Sequence, residues 1–312
     1  MIYNKPPLTY SQQIALMESR GLSIGDKQRA QRYLEEISYY RLSAYFLPYQ
    51  QTKDVFNACT TFDNILDLYL FDREFRLIIF DVIERVEVTI RAQIIYQLAH
   101  KYGSHWQDNP SIFNPAIVRG RYTIDIFGDT QKLIMDSSNA KHPEVFIKHY
   151  KNNYTSPVNP PSWMSIELLT VGQLSRLYTA IKNNIDRKEI ADYFGLHHTV
   201  FTSWVHTITY VRNICAHHSR LWNREFAIKP EILLRPQRPW MTVNFNNNND
   251  RSFYFLCTLK YLLGSANPTN HFKNKLITLI QKYPTVPIQF LGIPSDGNGN
   301  LINWENEPLW QN

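Results

Sequence analysis

The chain has 312 residues, of which 44% are hydrophobic and 14% aromatic, with 33 Lys and Arg set against 27 Asp and Glu. That length and apolar content give one large domain or two small ones an ample core, and exclude a disordered chain or a peptide-sized module. A formal charge of +6 favours a polyanionic partner such as nucleic acid, although proteins without one share so mild a bias.

The opening residues MIYNKPPLTYSQQ lack the basic-then-apolar layout of a signal peptide, so no secretion is expected. TYSQQIALMESRGLSI starts at a cap, Thr9 or Ser11, and stops at Gly21. DKQRAQRYLEEISYY follows from Asp26 with apolar residues at helical spacing, which predicts two short helices. ISYYRLSAYFLPYQQ then gathers five aromatics around Arg41 before Pro48 ends the run, and reads as a packed connector. From Phe62 to His100 the apolar residues recur at three and four, with no Gly or Pro until Gly103, so one very long helix or two with a bend is predicted. Its most apolar window, LIIFDVIERVEVTI, is interrupted by Asp81, Glu84, Arg85 and Glu87, whereas a membrane span needs ~20 apolar residues. No membrane partner is expected, and the cytoplasm is the expected location.

The stretch from Ser104 to Thr155 is less regular, with a helix expected near PEVFIKHYKNNY, and Pro157, Pro160 and Pro161 then suggest an internal linker. In SWMSIELLTVGQLSRLYTAIKN, Thr170 and Gln173 have capping-box spacing, so a short helix hands over to a second one there. Asp186 and Glu189 repeat the device in DRKEIADYFG, closed by Gly195. A further helix is expected from about Thr199 to His217. Beyond it come a polar loop (RPQRPWMTVNFNNNNDR), two helices (SFYFLCTLKYLL and NHFKNKLITLIQKY) and a loose tail (PSDGNGNLINWENEPLW). Without a repeat or clear strand alternation the chain reads as all-α: an N-terminal helical region over 1–60, a core over 61–226, and C-terminal helices with a tail over 227–312.

The stretch YVRNICAHHSRLW places several polar groups at the end of an otherwise apolar helix. At ~100° per residue Phe201, Trp204, Ile208, Val211 and Cys215 form one stripe, and Arg212 lies only ~40° from Ile208. A buried arginine stays charged and needs an anion, either a carboxylate of the protein or the phosphate of a ligand. His217 is ~140° around from Arg212, so the two converge only if the helix end frays or a second chain completes the site. Histidine moves protons near neutral pH and arginine forks onto phosphate, a pairing suited to phosphodiester cleavage. His218 is either the better-directed histidine or a C-terminal cap that suits the helix dipole.

RNICAHH resembles the R-x(4-6)-H signature of HEPN domains, in the form with a polar residue directly after the arginine: Arg212, Asn213, His217. ISYYRLSAYFLPY, IERVEVTIRAQIIYQLAHKYG, WMSIELLTVGQLSRLY and VRNICAHHSRLWNR resemble, in that order, the bacterial Abi-like family that includes the AbiD and AbiF phage-abortive-infection proteins. The likeness covers roughly residues 8 to 226, and nothing beyond Pro230 adds to it. It implies a HEPN-like helical bundle acting as a metal-independent endoribonuclease, often as a homodimer whose two motifs face each other. On that pattern Arg212 would hold the scissile phosphate, Asn213 would orient a catalytic partner or the RNA, and His217 would move protons. The products would be a 2',3'-cyclic phosphate and a 5'-hydroxyl. The family also implies a phage-defence effector or toxin, in some members held in check by a structured RNA.

Other groups admit a structural and a functional reading. Glu87 stands four residues before Arg91, the spacing of a surface ion pair; alternatively Glu84 or Glu87 reaches Arg212 across the core. With Arg41 and His218, these residues make up the set expected to support the site or touch RNA. KEIADYFGLHHTVFTSWV has helix-turn-helix spacing at Ala191, Gly195, Phe201 and Trp204, which keeps a DNA-binding regulator open, although His197, His198 and Thr199 are poor base readers. An RNA-binding protein without catalysis is also open. Adjacent histidines point ~100° apart with no Cys or carboxylate completing a set, so no metal and no cofactor are expected. Cys59, Cys215 and Cys257 are odd in number and widely spaced, which points to reduced thiols. The tryptophans and SYYRLSAYF offer rings for base stacking, but core packing suits their apolar neighbours better.

Overall fold

The computed structural model describes residues 6–245 and 248–311, apart from the side chain of Arg119. Residues 1–5 of the opening stretch read as lacking a signal-peptide layout, and Asn246 and Asn247 of the polar loop, lie outside the described residues.

Thr9 caps α1 (Tyr10–Ser19) in a reciprocal box with Gln12, and the Asp26 carboxylate caps α2 (Lys27–Ile37) by accepting from Arg29 N at 2.8 Å. Ser38, at φ +69, turns the chain into the short α3 (Tyr39–Ser43), and β1 (Gln50–Thr52) pairs antiparallel with β2 (Val55–Phe56). Thr61 and Asn64 form a second capping box that starts α4 (Phe62–Tyr102), a single 41-residue helix ended by Gly103 at φ +88. A second hairpin, β3 (Ile117–Arg119) with β4 (Tyr122–Ile124), precedes α5 (Ile126–Ser138) and α6 (Val145–Asn153). Then follow α7 (Ser162–Ser165), α8 (Val171–Ala180), α9 (Asn184–Asp192), α10 (His198–Ala216), α11 (Ser252–Ala266) and α12 (Phe272–Lys282).

The architecture is all-α in substance, with two small hairpins added. Strands of two or three residues are too short to print an alternation, and they turn at Asp54 and Gly120, both at positive φ.

Helix α4 is the axis of the molecule, with α9, α10, α11 and α12 all packed along it. It buries Phe71, Phe75, Ile79, Ile83, Val86, Ile90 and Ile94 to 1% exposure or less. Each such side chain contributes about 1.5–3 kcal/mol on leaving water, so interior packing, rather than propensity, holds so long a helix in place.

Four local expectations are corrected. The triple-proline segment is packed rather than a free linker: Pro160 and Pro161 are buried, and the Pro160 carbonyl accepts from Gln107 Nε2 at 3.0 Å and Ser165 Oγ at 2.7 Å. Asp186 does not cap α9, a task that falls to Asn183; it is buried and accepts from Lys101 Nζ at 2.6 Å and Tyr102 Oη at 2.7 Å, tying α9 to the end of α4. The irregular stretch contains α5, capped by Asp125 on Gly128 N at 2.9 Å. The tail is pinned, because Trp304 and Trp310 stack edge to face at 4.9 Å and both pack on Phe253 of α11.

Candidate functional site at the end of α10

Val211 and Cys215 bury one side of α10, and the helix then ends in a Schellman turn. His217 is the C-cap, with His218 N donating to Cys215 O at 3.1 Å and Ser219 N to Ile214 O at 3.0 Å. His218 occupies the left-handed position, φ +56, that glycine usually fills. A side chain held in that conformation costs about 1–3 kcal/mol, which the surrounding hydrogen bonds must outweigh. Arg41 of α3 donates Nη1 to the His218 carbonyl at 2.7 Å. Past the turn, Asp72 of α4 accepts Leu221 N at 3.2 Å and Trp222 N at 2.7 Å. Asp72 is fully buried and also accepts from Tyr45 Oη at 2.6 Å and from Arg76. Burial pushes the Tyr45 hydroxyl up, so it remains a donor. The connector, the long helix and the motif helix thus meet at one place.

Arg212 is half-buried, with its guanidinium over the Phe80 ring of α4 at 5.7 Å. Among the described residues no carboxylate lies within ion-pair distance of it. The alternative pairing with Glu84 or Glu87 is corrected, and the i,i+4 pair forms instead: Glu84 is exposed, and Glu87 pairs with Arg91 at 2.9 Å. Nor is the Glu87–Arg91 pair a surface feature. Arg91 is buried, donates to the carbonyls of Ile166 and, at 3.0 Å, Leu169, and lies 3.6 Å from Glu167, so it staples the α7–α8 connection to α4. Asn213 and His217 are exposed.

His217 and His218 line an open cleft of about 770 Å³ together with Tyr40, Arg41, Arg220, Arg224 and Glu225. Arg220 and Arg224 were missed by spacing arguments that stopped at the histidines, though SRLWNR carries both immediately after them. Nη1 of Arg220 is buried without a hydrogen-bond partner, and burial lowers the pKa of that guanidinium. The one carboxylate in the cleft, Glu225, lies 3.7 Å from Arg251.

His197 and His198 stack on each other at 4.4 Å at the opposite end of α10, roughly 27 Å away at 1.5 Å per residue. Ala191, Phe201 and Trp204 are fully buried, and Trp204 Nε1 donates to Glu231 O at 2.8 Å. The helix-turn-helix spacing therefore records core packing. The exposed residues near the start of α10 are His197, Thr199 and His206, without the Arg, Asn or Gln that reads bases.

The fold and the cleft define a mostly α-helical protein, built around one buried long helix and carrying a cationic groove where its motif helix ends. No helix of the described residues is long and apolar enough to cross a membrane. The chain belongs to the family of Abi-like proteins, whose family model matches residues 32–223, from within α2 to the turn held by Asp72. That membership suggests a part in abortive infection, a defence against phage. No curated protein and no solved structure matches the chain.

Proposed function

We propose that the protein is a phage-defence effector or toxin that cuts RNA, with Arg212, Asn213 and His217 as a HEPN-type active group. The observation that carries this reading is the state of Arg212: half-buried over Phe80, with no carboxylate among the described residues within ion-pair distance. A guanidinium so placed suits an external anion, and a phosphodiester fits its planar fork. The reaction is an internal transesterification. The ribose 2'-oxygen bonds to phosphorus as the P–O5' bond breaks, the 2'-proton passes to a base, and the departing 5'-oxygen receives a proton. His217, exposed at the helix end, takes or delivers one of these protons. Arg212 stabilises the charge that grows on the phosphoryl oxygens. Asn213 orients the RNA beside them. The products are a 2',3'-cyclic phosphate and a 5'-hydroxyl.

Arg212 and His217 point apart on one helix, which favours a site completed by two copies. Leu77, Phe80 and Val88 of α4 are exposed within ~80° of helix surface, interspersed with the exposed charges Arg73 and Glu84, and Phe80 lies under Arg212, a mixed face that such a homodimer could cover. A structured RNA that occupies the same surface uncut would restrain the toxin.

Cleavage of total cellular RNA in EDTA tests this reading, comparing the parent with folded Arg212→Ala and His217→Ala. Cyclic phosphate ends lost in both variants support it, whereas a parent that never cuts, or variants that cut equally well, refute it.

A further inference from the structure

We infer that the cleft between α3 and the turn after α10 seats a nucleotide flanking the scissile phosphate of a single-stranded RNA, with its phosphate among Arg41, Arg220 and Arg224 and its base on Tyr40. The orientation relative to the cut rests on the nuclease reading of His217; the binding itself does not.

Three guanidiniums share this cleft with two histidines, and among the described residues none of the three has a carboxylate within ion-pair distance. Leaving Nη1 of Arg220 buried and unpartnered is costly unless an anion arrives, because a desolvated donor forfeits its water without replacement. Arg41 is aimed by its bond to the His218 carbonyl, which uses one of five donors, and Arg224 is steadied by donating to Arg220 O at 3.0 Å. The wall is therefore preorganised. Tyr40, at the rim, is 89% exposed, so its ring serves no packing role in the isolated chain. An aromatic face beside uncompensated arginines is how proteins hold unpaired bases, whereas a duplex keeps its base faces stacked inside. His217 lines the same wall, which makes the seat contiguous with the proton-transfer residue.

The test is binding of a short fluorescein-labelled oligouridine to the full chain carrying His217→Ala, followed over a salt series. Tyr40→Ala should weaken binding roughly tenfold while Tyr40→Phe retains it, as stacking rather than the hydroxyl requires. Arg220→Gln with Arg224→Gln should flatten the salt dependence by a slope of about one. Melting curves confirm the fold of the arginine variant, and Tyr40 is too exposed to affect it. The same changes in the otherwise unaltered chain should slow RNA cleavage. Undiminished binding and cutting in these variants, alongside loss of cutting in Arg212→Ala, overturns the seat and leaves the nuclease standing. Cleft-dependent binding with no cutting by the unaltered chain leaves the seat standing and refutes the nuclease. Absence of binding by the His217→Ala parent, or equal affinity for a duplex RNA, overturns the single-strand seat.

Discussion

The carboxylate of Asp72, about a quarter of the way along α4, accepts the main-chain N–H of Trp222 at 2.7 Å, across 150 positions of sequence. The same carboxylate takes Leu221 N, Tyr45 Oη and Arg76, so one buried group anchors the chain just past the turn that presents both histidines. Replacing it by alanine strands Arg76 and two amides in the core. Asp72→Ala is expected to cost about 3–5 kcal/mol, a large share of the ~5–15 kcal/mol that holds an ordinary domain together. Urea unfolding measures it, and a loss below ~1 kcal/mol would show that the turn is held by other contacts.

Arg91 and Arg212 look alike in the sequence, each embedded in an apolar helix, but their surroundings assign them opposite behaviour. Arg91→Ala leaves the carbonyls of Ile166 and Leu169 without their donor and Glu87 without its cation, and should destabilise by about 2–4 kcal/mol. Arg212→Ala loses only a ring contact, which is worth about 0.5–1 kcal/mol. Thermal melts of the two variants decide the matter, and comparable losses would refute an Arg212 kept for ligand rather than for fold.

Helix limits were legible where a cap or a glycine marks them, as at Thr9, Thr170 and Gly103, because those signals are local. The Glu87–Arg91 pair was legible as well, since it follows helix spacing, but the distant partners of charged residues were not. Asp186, Arg91 and Asp72 each also bond groups at least 75 positions away, and no spacing rule reaches that far. Helical counting placed Arg212 close to the buried stripe, yet its half-exposure depends on Phe80 of α4. The C-terminal tail read as loose because Gly and Asn dominate its start, while two tryptophans near its end fix it to α11.

The three thiols should differ sharply in reactivity. Burial pushes the Cys215 thiol up to about 12 and raises Cys257 well above its ordinary range, whereas Cys59 is exposed. Thiolate is the reacting form, so iodoacetamide on the native protein at neutral pH should add one adduct, at Cys59, and three after unfolding. Cys215 keeps its proton in the fold but loses it above about 9 when unfolded, so its contribution is intact below that pH and is lost as pH rises towards about 12. Rapid native labelling of Cys215 by intact-mass analysis would refute its burial.

Because Arg212 and His217 project from different sides of α10, a site shared between two copies makes a sharper prediction than dimerisation alone. Arg212→Ala and His217→Ala chains, each inactive, should recover activity when mixed and allowed to exchange subunits. Half of the random dimers are then mixed, each with one intact site of two, giving about a quarter of the parental rate. Val88→Asp, on the exposed face of α4 that carries Leu77 and Phe80, should abolish both the dimer and the recovery without unfolding the chain, since Val88 is 58% exposed. Sedimentation velocity follows the first effect and RNA cleavage the second. A parent that sediments as a monomer yet cuts RNA would place the whole reaction in one chain, and the end of α10 would then have to bring Arg212 and His217 together by itself.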